Sequence, residues 1–122
     1  MKTFIGTVIT LIIITALVIT NSMYISRLSD EMITIAKGMP EETTDSSLKS
    51  ALELQKKLDD SEFILLLTVN HNEIEMIDLR ITEIISRIEN GDKENYSFAV
   101  KALITELEEL RKSEKLSWDA IV

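Results

Sequence analysis

From Thr3 to Ser26 no residue carries a charge, with Lys2 before the run and Arg27 after it. At an α-helical rise of ~1.5 Å per residue this run extends roughly 36 Å, enough to cross the ~30 Å hydrocarbon core of a bilayer. A chain built this way is predicted to be a membrane anchor, residues 1–23, with residues 24–122 hanging from it. A cleaved signal peptide is the competing reading, because Thr20 and Ser22 are small enough to flank a cleavage point. Signal h-regions are ~7–15 residues long, whereas this run is longer and passes into a further helical pattern, so a retained anchor is expected.

With no cysteine in the chain, a lipid-modified cysteine, a disulfide framework and a thiolate metal site are all excluded. A type IV pilin is disfavoured because no acidic residue interrupts the start of the run. Thr3, Gly6, Thr7 and Thr10 share one side of the helix, and small residues there let a second membrane helix approach closely, with threonine hydroxyls bonding across the contact. The plainer alternative is that each hydroxyl bonds its own helix backbone. Positive charge is nearly balanced on the two flanks, Lys2 and the amino terminus against Arg27 and Lys37. A short tail and the acidic bulk beyond the run favour a cytoplasmic amino terminus and an extracytoplasmic domain, in a single-pass protein of the cell membrane.

Beyond the anchor there is chain for one domain and too little for two. Setting Lys2 aside, 12 Lys and Arg stand against 21 Asp and Glu, a formal charge of −9. Nucleic acid is therefore not an expected partner, and anionic lipid would repel the domain, leaving apolar groups to make any contact with a membrane.

The expected fold is all-α, the anchor continuing into an antiparallel up-down four-helix bundle with helices at about 24–37, 45–69, 73–89 and 93–112 and then a short apolar tail. Ile25, Leu28, Met32 and Ile35 make the first stripe, which Gly38 is expected to end as a left-handed cap and Pro40 forbids from continuing. Thr44 or Asp45 is the candidate N-cap of a second helix carrying Leu48, Ala51, Leu52, Leu54 and Leu58, then the all-round apolar run Phe63 to Leu67. Asn70 with Glu73, or Asn72 with Glu75, has the spacing of a capping box. Ile74, Ile77, Ile81, Ile84 and Ile88 repeat over about four turns, a helical period despite the strand preference of isoleucine. Tyr96, Val100, Leu103, Leu107 and Leu110, flanked by Ala99 and Ile104, form the fourth stripe. Glu83 with Arg87 and Glu108 with Lys112 are candidate (i, i+4) pairs.

Helix lengths make the membrane-proximal end the most specific part of this expectation. From Tyr24 to Lys37 the first helix climbs ~21 Å, whereas Asp45 to Val69 would descend ~36 Å. The second helix overshoots, carrying Phe63 to Val69 to the level where the first leaves the membrane, and the fourth delivers Trp118, Ile121 and Val122 to the same end. Phe63, Ile64, Leu66, Leu67, Trp118 and Ile121 are thus a candidate docking surface against lipid or a transmembrane partner; the alternative is that run and tail cover one another and close the bundle.

Catalytic chemistry finds little footing. His71 is the sole histidine, expected to bond a backbone group at the turn; there is no Glu-x-x-His pair, and the acidic clusters at Asp59, Asp60 and Glu62, at Glu73, Glu75 and Asp78 and at Glu106, Glu108 and Glu109 read as solvated helix faces. The turn from Asn90 to Asn95 lacks the central glycine and terminal glutamate of a calcium loop, and phosphate-binding glycine loops are absent. No metal or cofactor is expected, nor an enzyme. His71-Asn72-Glu73-Ile74-Glu75 entering the third helix, a single anchor, and Glu114-Lys115-Leu116-Ser117 in the tail together resemble a bacterial family called domain of unknown function 4363. The chain differs from the pattern expected of that family at Glu75, Phe63 and Ala120, where aspartate, tryptophan and asparagine are anticipated. The resemblance spans nearly the whole chain, brings no established activity and no catalytic residue, and implies a second membrane protein as partner. The functional expectation is a membrane-anchored accessory subunit docking on another membrane or envelope protein; the alternative is an extracytoplasmic small-molecule-binding module acting through a partner.

Overall fold

The computed structural model describes the backbone of residues 2–69 and 71–121, and their side chains except those of residues 67, 68 and 114–121. Among the described residues there are four helices and no strand: α1 (Lys2–Lys37), α2 (Asp45–Thr68), α3 (His71–Glu89) and α4 (Lys93–Ile121). α1 packs on α2 and α4, and α3 packs on the same two. Short connections make each neighbour antiparallel, which yields the expected up-down bundle.

α1 is one unbroken helix in two environments. Its first half, through Val18, is exposed along every face, and it is long and apolar enough to cross a membrane. Its second half buries Ile25, Leu28, Ser29, Met32, Ile33 and Ala36 against the bundle. Ile35, expected on the stripe, is only partly buried, because the 3.6-residue period carries the buried face through Ile33 and Ala36. Ser29 is accommodated in the core by donating its hydroxyl to the Ile25 carbonyl at 2.9 Å.

On α2 the buried residues among those described are Ser47, Ala51, Leu54, Leu58, Ser61 and Leu65, a three-four repeat forming one stripe. Leu52 stands off that stripe and is exposed, contrary to its expected place in the core. Five of the six isoleucines of α3, at 74, 77, 81, 84 and 88, are buried and Ile85 is partly so, and α4 buries Tyr96, Ala99, Leu103, Leu107 and Leu110, with Val100 and Ile104 packed beside them. Ala51 and Ala99, both fully buried, are small enough to let neighbouring helices approach closely.

The helix ends show where local rules hold. α3 closes on Gly91 at φ 68°, with Gly91 N–H donating to the Ile88 carbonyl at 3.1 Å and Asp92 N–H to the Arg87 carbonyl at 2.9 Å, a Schellman motif. Gly38 is not left-handed, correcting the expected cap: its N–H reaches the Thr34 carbonyl and the chain leaves α1 with ordinary backbone angles, so that Met39 enters the core and Pro40 follows. α4 does not stop near residue 112 but runs on to Ile121, since no glycine or proline interrupts it.

The upper end of the bundle, where α1 meets α2 and α3 meets α4, is laced together. Tyr96 is buried and donates its hydroxyl to the Pro40 carbonyl at 2.7 Å. Burial pushes the phenol up, opposed by a hydrogen bond with Ser47. Ser47, itself fully buried, accepts the Thr44 N–H at 3.3 Å and donates to the Glu42 carbonyl, which ties the α1–α2 connection to the start of α2. Lys93 meets Glu42 at 2.6 Å, and Asp92 accepts both Arg87 at 3.3 Å and the Asn95 side chain at 2.7 Å while capping α4.

Two predicted charge pairs are replaced. Arg87 turns to Asp92 rather than Glu83, and Glu108 faces Lys37 at 3.7 Å rather than Lys112. Glu83 joins Glu106 around Arg80, each at 3.1 Å, and those hydrogen bonds, Glu106 first, hold the guanidinium above its usual value. In each case a partner on another element or in a turn competes successfully with the (i, i+4) neighbour.

Candidate functional site

The lower end is organised differently. Tyr24 on α1 and Ser61 on α2 share a hydrogen bond of 2.9 Å between their hydroxyls, which sets the two helices at a common height. α2 then continues to Thr68, about seven residues or ~10 Å further along the apolar half of α1. α1 responds where expected: Ile19, Asn21 and Ser22 are partly shielded, while Thr3 to Val18 are exposed. The overshoot of α2 past the level of Tyr24 is thus a feature of the structure.

Within that overshoot the apolar run divides. Leu65 and Val69 are buried, closing the core from below, and Ile64 is half-buried. Phe63 is 76% exposed and Leu66 47%. Of the residues predicted to form a docking surface, Phe63 and Leu66 are exposed and Ile64 is half-buried; Leu67, Trp118 and Ile121 fall outside the described side chains, and Val122 outside the described residues. Around the patch lie the exposed carboxylates Asp59, Asp60 and Glu62.

His71 begins α3 and its Nε2 meets Glu75 Oε1 at 2.8 Å, both side chains about two-thirds exposed. The expected bond to a turn backbone group is replaced by this side-chain pair, because the helix starts at His71 and places Glu75 one turn on. Asn72, expected with Glu75 as a capping box, lies inside α3, and the Asn70 alternative lies outside the described residues.

On α1, Thr3, Gly6, Thr7 and Thr10 are all exposed, and no atom lies within 4 Å of where a Gly6 side chain would begin. Thr7 donates to the Thr3 carbonyl at 2.8 Å and Thr10 to the Gly6 carbonyl at 2.9 Å. The hydroxyls are thus satisfied within the helix, and what the face offers a neighbour is its small size.

A feature not singled out in the sequence is a groove of about 230 Å³ between α3 and α4, lined by Met76, Ile77 and Leu110 with Glu73, Glu106 and Glu109. Its signal was Met76, an apolar residue off the isoleucine stripe and 44% exposed. Among the described residues no group of three or more His, Cys, Asp or Glu is placed to hold a metal ion. A family model described as Domain of unknown function (DUF4363) matches residues 18–121. No curated protein and no solved structure matches the chain.

Proposed function

The chain belongs to the Domain of unknown function (DUF4363) family, and from that premise we propose that it is a single-pass membrane protein whose bundle serves interaction rather than catalysis, an accessory subunit docking on another membrane or envelope protein. The observation that carries the reading is the continuity of α1. A helix exposed over its apolar half and built into the bundle core over its other half couples a membrane position rigidly to a folded domain. In this reading Lys2 lies on the cytoplasmic side and the acidic bundle outside, and the small face around Gly6 receives a partner's transmembrane helix.

The test places a photo-crosslinker at Thr10, on that face, and separately at Ile12 on the opposite side, in native membranes. One recurring membrane protein captured from Thr10 and not from Ile12 is the expected result. Equal capture from both sides, or none from either, counts against a docking helix. Protease added to cells stripped of their wall should digest the bundle and spare the anchor; protection until lysis would reverse the orientation.

The groove between α3 and α4 favours a second reading, a small-molecule-binding module that signals through its partner. Ligand-induced thermal stabilisation separates the two, since a binding module is stabilised by mass action and a docking subunit is not.

A further inference from the structure

We infer that the lower end of the bundle rests in the interfacial layer of the same bilayer that α1 crosses, with Phe63 and Leu66 inserted beside the emerging helix. The inference rests on α1 being a membrane span and adds where the domain sits relative to the surface. The Tyr24–Ser61 hydrogen bond fixes the height of α2 on α1. Phe63, about 3 Å below Ser61, is level with Ser22, and Leu66, about 7.5 Å below, is level with Ile19. A hydrocarbon core of ~30 Å takes up about 20 of the residues in the uncharged run from Thr3 to Ser26. If Thr3 marks one edge, Ser22 marks the other; shifting the span toward Ser26 carries Phe63 and Leu66 deeper. Every placement of the run that keeps Lys2 and Arg27 out of the core brings both side chains to the boundary or below it.

Lipid is the occupant that the surroundings favour. The patch is continuous in height with the exposed, uncharged surface of α1, from Val18 downward. Among the described side chains the patch is Phe63 and Leu66, which offer at most a few hundred Å², against the ~1,200 Å² of a stable protein interface. The excess of acidic residues sets the kind of surface: Glu62 and Glu73 repel anionic headgroups, so neutral lipid is preferred, and together with the His71–Glu75 pair they favour the shallowest of these placements, with the core edge at Ser22.

The chain has no cysteine, so single labels can be placed without removing any. Phe63→Cys, Leu66→Cys, Ile12→Cys and Phe98→Cys, each in the full chain, carry a nitroxide and are reconstituted at low protein density in phosphatidylcholine vesicles. All four positions are exposed, Phe98 at 73% on the upper part of α4, so the labels do not disturb the core. Power saturation then compares access to oxygen, which concentrates in lipid, with access to a water-soluble nickel complex. Labels at 63 and 66 should show an oxygen-to-nickel ratio several-fold above that at 98 and below that at 12. Ratios at 63 and 66 equal to that at 98 would overturn the inference while leaving the anchor standing. Shielding at 63 and 66 from both reagents, which marks cover by protein, would overturn it as well. An Ile12 label open to nickel would remove the membrane span and the inference with it.

Discussion

Tyr96 and Phe63 are both aromatic residues close to a helix end, yet the first is 1% exposed and the second 76%. The upper end of the bundle spends its side chains on itself. Tyr96 holds the Pro40 carbonyl, Ser47 holds the α1–α2 connection, and Lys93, Arg87 and Asp92 tie one turn to the other. At the lower end Tyr24 bonds Ser61 between α1 and α2, and large apolar groups face outward beyond it. One end is finished as a soluble protein would be, and the other leaves Phe63 and Leu66 in the open.

The strongest test of that contrast starts from the core that both ends share. Ile81→Asp places an unpaired charge at a fully buried position and should cost at least about 4 kcal/mol, abolishing the cooperative thermal transition of the full chain in detergent micelles followed by circular dichroism. An unchanged transition would mean that the α3 stripe is not core and that neither end is closed by it.

Next in size, Tyr96→Phe removes one buried hydrogen bond at the upper end and should lower stability by about 1 kcal/mol, whereas Ser61→Ala at the lower end should cost less because Tyr24 is 39% exposed and can turn to water. Equal losses by chemical denaturation would erase the distinction drawn here.

The smallest effect is confined to the start of α4. Hydrogen bonds from the Asn95 side chain, then from its backbone amide, hold the Asp92 carboxyl below the usual carboxylate range. Its contribution is complete above the unfolded-state value near ~3.9 and disappears as pH falls through the lowered folded-state value. Amide exchange around Asn95 and Tyr96 should therefore quicken below about pH 4, ahead of exchange at Ile81 and Leu103. Simultaneous loss at all four would argue against a local cap.

Most of the bundle was legible because it depends on period alone. Ile74 to Ile88 fall on their stripe, and Tyr96 to Leu110 do so with Ala99 on the buried line in place of Val100. What escaped depends on groups far apart in sequence. Arg80 reaches Glu106 and Arg111 reaches Asp30 across helix boundaries, which no (i, i+4) rule anticipates. Leu52 is apolar and exposed because a helix at a corner of the bundle has an outer side that pattern alone does not identify. Of the lower end, the overshoot followed from helix lengths, while the division of its apolar run into buried Leu65 and exposed Phe63 and Leu66 required the packing.

The neighbour relation of α1 and α4 has a consequence in time. Leu107 leaves the ribosome about 80 residues after Leu28, which at ~5–20 residues per second is roughly 4–16 s. A helical bundle closes in micro- to milliseconds once its parts are present. Completion of the core is thus governed by the supply of chain rather than by any folding barrier, and for seconds the first-made wall of the bundle stands with one side open. Whatever shelters Ile25, Leu28 and Met32 during that wait meets them before their permanent partner exists.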